Sequence, residues 1–192
     1  MKIFTIFVLM SFNVLSSGAQ LAKTTKETSL TKNSSDMKNT KKESKSSKAQ
    51  EFFGLEWFDK DEKKMPHIRL KDLKGKLTFI NVFLKTCPGC PKSHKIFKKL
   101  IDKYKDRKDI QFLGVQSVSY GHKQNTERHL HEIRKKYGYK FPMAQDNQAV
   151  FIMQYGAGGT PWNIVLGPEG TIEHNYFFIS ESDADKYVKK FL

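Results

Sequence analysis

One junction constrains this chain more than anything else in it. Leu77 to Leu84 (LTFINVFL) is a near-continuous run of apolar, β-branched and aromatic residues, the pattern of a strand covered on both faces. Thr86-Cys87-Pro88-Gly89-Cys90-Pro91 follows at once. Beyond it Ile96, Phe97, Leu100, Ile101 and Tyr104 recur at helical spacing, with Lys95, Lys98, Lys99, Asp102 and Lys103 on the other side. The junction therefore reads as a central strand, a short loop with two thiols, and an amphipathic helix that begins at the cysteine pair. At a helix N-terminus the free backbone N–H groups and the positive dipole end favour a thiolate. Cys87 is expected exposed and activated. Cys90, one turn further in, is expected shielded and able to attack a mixed disulfide on Cys87. Lys85, Lys92 and Lys95 add positive potential nearby. A merely stabilising bridge is the weaker reading, because the model gain from a cross-link shrinks with the loop it closes, from about 3 kcal/mol for a 15-residue loop.

Cys87 and Cys90 are the whole thiol inventory, which rules out disulfide-scaffold folds, and four-thiolate zinc sites unless a second chain supplies ligands. The N-terminal part reads as export machinery. Met1 and Lys2 precede an apolar run from Ile3 to Leu15, then small residues at Ser17 and Ala19, the order of a secretory signal peptide over residues 1–22 with cleavage near Ala19 or Ala22. The run is shorter than the roughly 20 residues a bilayer needs, so an uncleaved anchor is the second choice. Residues 23–50 carry eight Lys against three acids, a net of +5, and only Leu30 and Met37 as sizeable apolar side chains. Such a stretch cannot offset its ordering entropy by burial and reads as a disordered tether. Its charge suits an anionic envelope surface by about 1 kcal/mol per Lys held close; a solvated spacer without a partner is the plainer reading. The chain's net charge of +14 does not argue for nucleic acid, since export removes it from that partner and no reading motif is visible. Residues 51–192 are left as one domain, large enough for a core without staples.

Within it, loosely alternating residues over 55–64 and 67–72 predict a short ribbon of edge strands before a turn at Lys74-Gly75-Lys76. Ile110 to Val118 predicts a second buried strand, and Asn125 or Thr126 caps a helix that ends at Gly138. Phe141 to Ala144 reads as a brief strand and Asn147 to Tyr155 as a short helix. Pro161 to Leu166 and Thr171 to Ile179, joined by Gly167-Pro168-Glu169-Gly170, predict an antiparallel hairpin, and Ser180 or Ser182 caps a last helix. Strands alternating with helices argue for an α/β fold with a mixed central sheet.

From about Leu55 to Leu192 the chain resembles the thioredoxin-fold family, and within it the exported thiol-disulfide oxidoreductases of the TlpA and ResA kind. The resemblance rests on the strand and CPGC of Leu77 to Cys90, on Gly159-Thr160-Pro161 opening the hairpin, and on the extra strand and helix between Ile110 and Tyr137. It implies a thioredoxin-like fold with that insertion after the active-site helix, and a redox-active disulfide of Cys87 and Cys90. It implies a cis Pro161 against the thiols, with Thr160, Pro161 and Trp162 at the substrate segment. It implies partners among protein thiols or disulfides of the cell envelope, an upstream electron donor or acceptor, a periplasmic or secreted location, and neither cofactor nor metal. Two departures stand out. Thr86 replaces the usual aromatic residue before the first cysteine, and Asn81 stands where cytosolic thioredoxins carry a buried acid, so proton transfer to Cys90 must use water or another side chain.

Two rivals share the fold. A peroxiredoxin-like peroxidase needs Thr or Ser three before its cysteine, where this chain has Leu84, and a nearby Arg that the sequence does not place. A Sco-like copper chaperone resembles the Thr86–Pro91 run but spaces its cysteines more widely and adds a His near the later hairpin. His94, on the helix after Cys90, and His129 with His131 on the next helix are expected in exposed, solvated roles. Pro91 excludes haem attachment, which needs His there.

Overall fold

A computed structural model describes residues 47–118 and 123–192. The expected signal peptide and all but the last residues of the expected tether lie outside them. The described elements run β1 (Leu55–Phe58), β2 (Leu77–Phe83), α1 (Cys90–Tyr104), β3 (Ile110–Ser117), α2 (Glu127–Tyr137), β4 (Met143–Asp146), α3 (Val150–Gln154), β5 (Trp162–Leu166), β6 (Ile172–Tyr176) and α4 (Glu181–Phe191). They build one six-stranded mixed sheet in the order β1-β4-β3-β2-β5-β6, the thioredoxin-like arrangement. β2, β3 and β4 are parallel, as strand-helix-strand crossovers require, whereas β1, β5 and β6 join antiparallel.

Every residue of β2 is buried, as its sequence demands of a strand with helices on both sides. Side-chain alternation divides it between two cores. Leu77, Phe79 and Phe83 face a cluster with Phe97, Leu100 and Phe112 that α1, α2 and α4 cover; Ile80 and Val82 face Phe52, Trp57, Phe151 and Trp162 on the other side. The helix ends follow their signals. Thr126 Oγ1 accepts from the His129 N–H, Ser180 Oγ accepts from the Asp183 N–H, and Gly138 closes α2 with a left-handed φ of 65° that glycine adopts without Cβ penalty.

The ribbon expected over 55–64 and 67–72 is not formed. Only Leu55–Phe58 is a strand, with a single bridge from Phe58 to Lys64, and Leu70–Leu73 is a 3-10 turn. The Asp72 carboxylate accepts from the Arg69 N–H, and the Asp72 N–H reaches the Arg69 carbonyl, so this pair closes a turn where alternation suggested a strand. The end of the expected tether is also held. Lys48 bridges Thr171, the Ala49 N–H donates to the Gly170 carbonyl, the Ile172 N–H donates to the Ser47 carbonyl, and the Tyr155 hydroxyl donates to the Gln50 carbonyl. Among the described residues no helix is long and apolar enough to cross a membrane.

Candidate functional site

β2 ends at Phe83, and the Lys85 N–H donates to Asn125 Oδ1, which ties the loop after the strand to the entry of α2. Gly89 caps α1 and Cys90 is its first residue. Cys87 and Cys90 form a disulfide, with Cα atoms 5.4 Å apart. The Cys90 N–H donates to Cys87 Sγ at 3.1 Å, so the free end of the helix is aimed at the first sulfur, where it stabilises a thiolate once the bond opens. Cys87 is 8% exposed and Cys90 2%. In the disulfide form, then, Cys87 is nearly covered and not open as expected, although it remains the more accessible of the two.

The second half of the site arrives from β5. Val82 of β2 pairs with Trp162, which sets the residues just before β5 beside the loop after β2. The Thr160–Pro161 bond is cis. A Cβ placed on Gly89 would lie 3.1 Å from Pro161 Cδ and 3.6 Å from Phe178 Cζ, so the two loops touch and only glycine fits between them without displacement. Trp162 is placed differently. Its ring packs on Phe177 with centroids 4.7 Å apart, its indole N–H donates to Asn175 Oδ1, and it belongs to the core on the face away from the cysteines. The structure thus brings Cys87, Cys90 and Pro161 together and turns the Trp162 ring elsewhere. Half-exposed Phe178, under the Lys92 ammonium at 5.9 Å, is a wall of the site that the sequence reading missed; its place in the expected hairpin strand concealed it.

On β2, Asn81 is 1% exposed, and its amide donates to Ser93 Oγ of α1 at 2.9 Å and to Asn163 Oδ1 of β5 at 3.0 Å. Beside the disulfide is a cavity of about 290 Å³ whose walls include Lys85, both cysteines, His94, His129 and Lys136. Of the three histidines expected to be solvated, His94 and His129 line this cavity from inside, 1% and 7% exposed, and His131 packs edge-on against Phe58 with ring centroids 5.2 Å apart. Burial, then the nearby His129 and Lys136, pushes His94 down to about 4. Burial and then Lys85 lower His129 as well. Both rings are neutral at ordinary pH.

Residues 47–182 match the AhpC/TSA family, a span of well over half the chain. The chain belongs to the AhpC/TSA family. Among its relatives is the thiol-disulfide oxidoreductase ResA of Bacillus thuringiensis (strain Al Hakam), 31% identical over 124 residues that cover 64% of this chain and 68% of ResA. A thiol-disulfide isomerase from Corynebacterium glutamicum is 25% identical, with a TM-score of 0.58 over 67% of this chain and 88% of that one. A thioredoxin-like superfamily protein superposes with a TM-score of 0.65 over 75% and 95% of the two chains at 24% identity, and that likeness shows the fold. This AhpC/TSA member is a thiol-disulfide oxidoreductase.

The residues a peroxidase would use are elsewhere in this AhpC/TSA member. Leu84 is apolar and buried, Arg134 is spent on the carbonyls of Phe58, Tyr139 and Phe141, and Arg69, Arg107 and Arg128 do not line the cavity. His174, the histidine of the hairpin, packs on Tyr187 of α4 away from the cysteines. Among the described residues no group of three or more His, Cys, Asp or Glu is placed to hold a metal ion.

Proposed function

We propose that this oxidoreductase is exported and exchanges disulfides with other proteins of the cell envelope, with Cys87 as the attacking thiol and Cys90 as the resolving one. The observation that carries the assignment is the pairing of the greater accessibility of Cys87 with the Cys90 N–H directed at its sulfur. In the reducing direction the Cys87 thiolate attacks a substrate disulfide and releases one thiol. Cys90 then attacks Cys87 within the mixed disulfide and releases the second, so two electrons pass from the dithiol to the substrate. An upstream thiol donor or acceptor restores the starting state, and the potential of the pair sets the direction. The Thr160 backbone and Pro161, held against Gly89, supply the surface on which the substrate segment lies beside Cys87; Trp162 anchors the start of β5 from the opposite face. The apolar segment 3–15 supports export, and the small residues after it support cleavage.

Two single substitutions test this in the cells that make the protein. Cys90→Ser is expected to accumulate mixed disulfides with envelope proteins, on a chain that has lost residues 1–22. Cys87→Ser is expected to trap almost nothing. Equal trapping by both variants would overturn the roles, and partners that are all cytosolic would overturn the location.

A further inference from the structure

The mechanism above leaves the proton of Cys90 without a destination. Asn81 cannot titrate, and its amide hydrogens are already given to Ser93 and Asn163. His94 lies four residues beyond Cys90 on α1, so the two side chains are neighbours on one helix face, and both line the same cavity. The imidazole is fixed in place. It stacks on Tyr137 at 4.6 Å between centroids and meets Phe83 edge-on at 4.8 Å.

Its tautomer follows from Tyr139. The Tyr139 hydroxyl donates to the His94 carbonyl at 3.2 Å, and the same oxygen lies 3.1 Å from His94 Nδ1. A phenol has one proton to give, so its oxygen must accept from Nδ1–H, and burial raises Tyr139 so that it keeps that proton. Nε2 therefore carries the lone pair. It is buried and has no hydrogen-bond partner, an unusual state for a polar atom inside a protein.

We propose that His94 Nε2 takes the proton of Cys90 when Cys90 resolves the mixed disulfide, and in the reverse direction relays a proton from an incoming thiol to Cys90 as the disulfide is reopened. The inference rests on the roles assigned to Cys87 and Cys90 above. In the step, the Cys90 S–H bond breaks toward Nε2 and the Cys90 sulfur bonds to Cys87. The bond from Cys87 to the substrate sulfur breaks, and the substrate leaves as a thiolate that takes a proton from the imidazolium or from water. The titratable groups facing the ring are Cys90 on its own helix, Cys87 and Lys85 on the preceding loop, His129, Glu132, Lys136 and Tyr137 on α2, and Tyr139 beyond it. While the disulfide is closed the cations outnumber the anions, and the ring stays neutral. A thiolate that forms on Cys90 in the same enclosed space is the charge that makes Nε2 a stronger base.

The test follows the fully reduced protein with 5,5′-dithiobis(2-nitrobenzoate), in which attack by Cys87 and resolution by Cys90 each release one coloured thiolate. His94→Gln is expected to leave the first release unchanged and to slow the second about 100-fold at pH 7, near the lower end for a lost general base. It should also make the second release rise about tenfold per pH unit, since hydroxide must then remove the proton, whereas the natural protein shows a flatter profile. Tyr139→Phe keeps the imidazole but frees Nδ1, so it too is expected to slow the second release selectively, which holds the proposal to account if His94→Gln melts too low to assay. A second release within twofold of the natural protein at every pH, in whichever variant is folded, overturns the proposal. A natural protein that releases only one equivalent would instead overturn the resolving role of Cys90.

Discussion

Replacing Asn81 with an aspartate places a carboxyl where the amide donates twice. Nδ2 contacts Ser93 Oγ at 2.9 Å and Asn163 Oδ1 at 3.0 Å, and Asn163 cannot turn its amide to offer a donor because its own Nδ2 is committed to the Phe177 carbonyl at 2.7 Å. An ionised carboxylate in the Asn81→Asp variant would thus face the Asn163 oxygen with no solvent to help, at a position 1% exposed. The carboxyl stays protonated in the folded state well above its unfolded value of about 3.9. The sign is that of a raised folded pKa: the variant's stability is fully present below about pH 3.9 and is lost as the pH climbs toward the folded value. At pH 4 the protonated acid gives up one of two hydrogen bonds, about 1 kcal/mol. Each further pH unit adds about 1.4 kcal/mol, so by pH 7 the added loss reaches about 4 kcal/mol, a large share of the 5–15 kcal/mol typical of a domain. Urea unfolding of both proteins at pH 4, 5, 6 and 7, with the disulfide kept closed, measures the gap directly. A gap that stays constant across that range would show an ionised or solvated carboxyl and would refute the acceptor-facing geometry of this network.

Acid should also weaken the natural protein through His94. Its folded value is pushed down to about 4 while an unfolded imidazole titrates near 6.5, so the unfolded chain binds the proton first; stability is full above about pH 6.5 and drops by roughly 3 kcal/mol as the pH falls to 4. Comparing the urea midpoints of the natural protein and His94→Gln between pH 7 and 4 checks this, and parallel curves would refute it. A chain shortened to begin at Glu51 loses the bonds that Ser47, Ala49 and Gln50 make to the hairpin and to Tyr155, and is expected to be about 2 kcal/mol less stable than one that begins at Glu43. Calorimetric melting of the two chains decides it, and equal melting temperatures would mean that these bonds contribute nothing.

The elements that the sequence makes legible are those whose pattern and burial agree. β2 and β3 are apolar because helices cover both faces, and α1 and α2 each carry an apolar stripe, to which α2 adds a cap at Thr126 and a terminating glycine. The ribbon over 67–72 failed because local alternation was outcompeted by the Asp72–Arg69 turn, an interaction that spans three residues and leaves no periodic trace. The site divides in the same way. The cysteines were marked by residue type and spacing and Thr160-Pro161 by the family resemblance, whereas the placement of Trp162 depends on which face of β5 its ring occupies. His94 had a signal that composition masked: it stands three before Phe97 and four after Cys90, on the apolar stripe of α1, yet a histidine among lysines reads as a solvated one. Arg134 hides for the same reason, being a cation within a basic stretch that turns inward to satisfy three carbonyls on two neighbouring segments.

The pairing of Val82 with Trp162 has a consequence for motion. Because β2 and β5 are hydrogen-bonded neighbours in the middle of the sheet, the loop with the thiols and the loop with Thr160-Pro161 hang from one ladder. Neither can drift from the other unless that ladder parts, which is an event on the scale of global unfolding. The amides of Phe79 to Val82 and of Trp162 to Leu166 should therefore exchange with deuterium through a single slow opening. The roots of the two loops then keep their spacing for as long as the sheet keeps its register, and substrate-sized adjustments near the disulfide fall to the loop residues beyond the ladder.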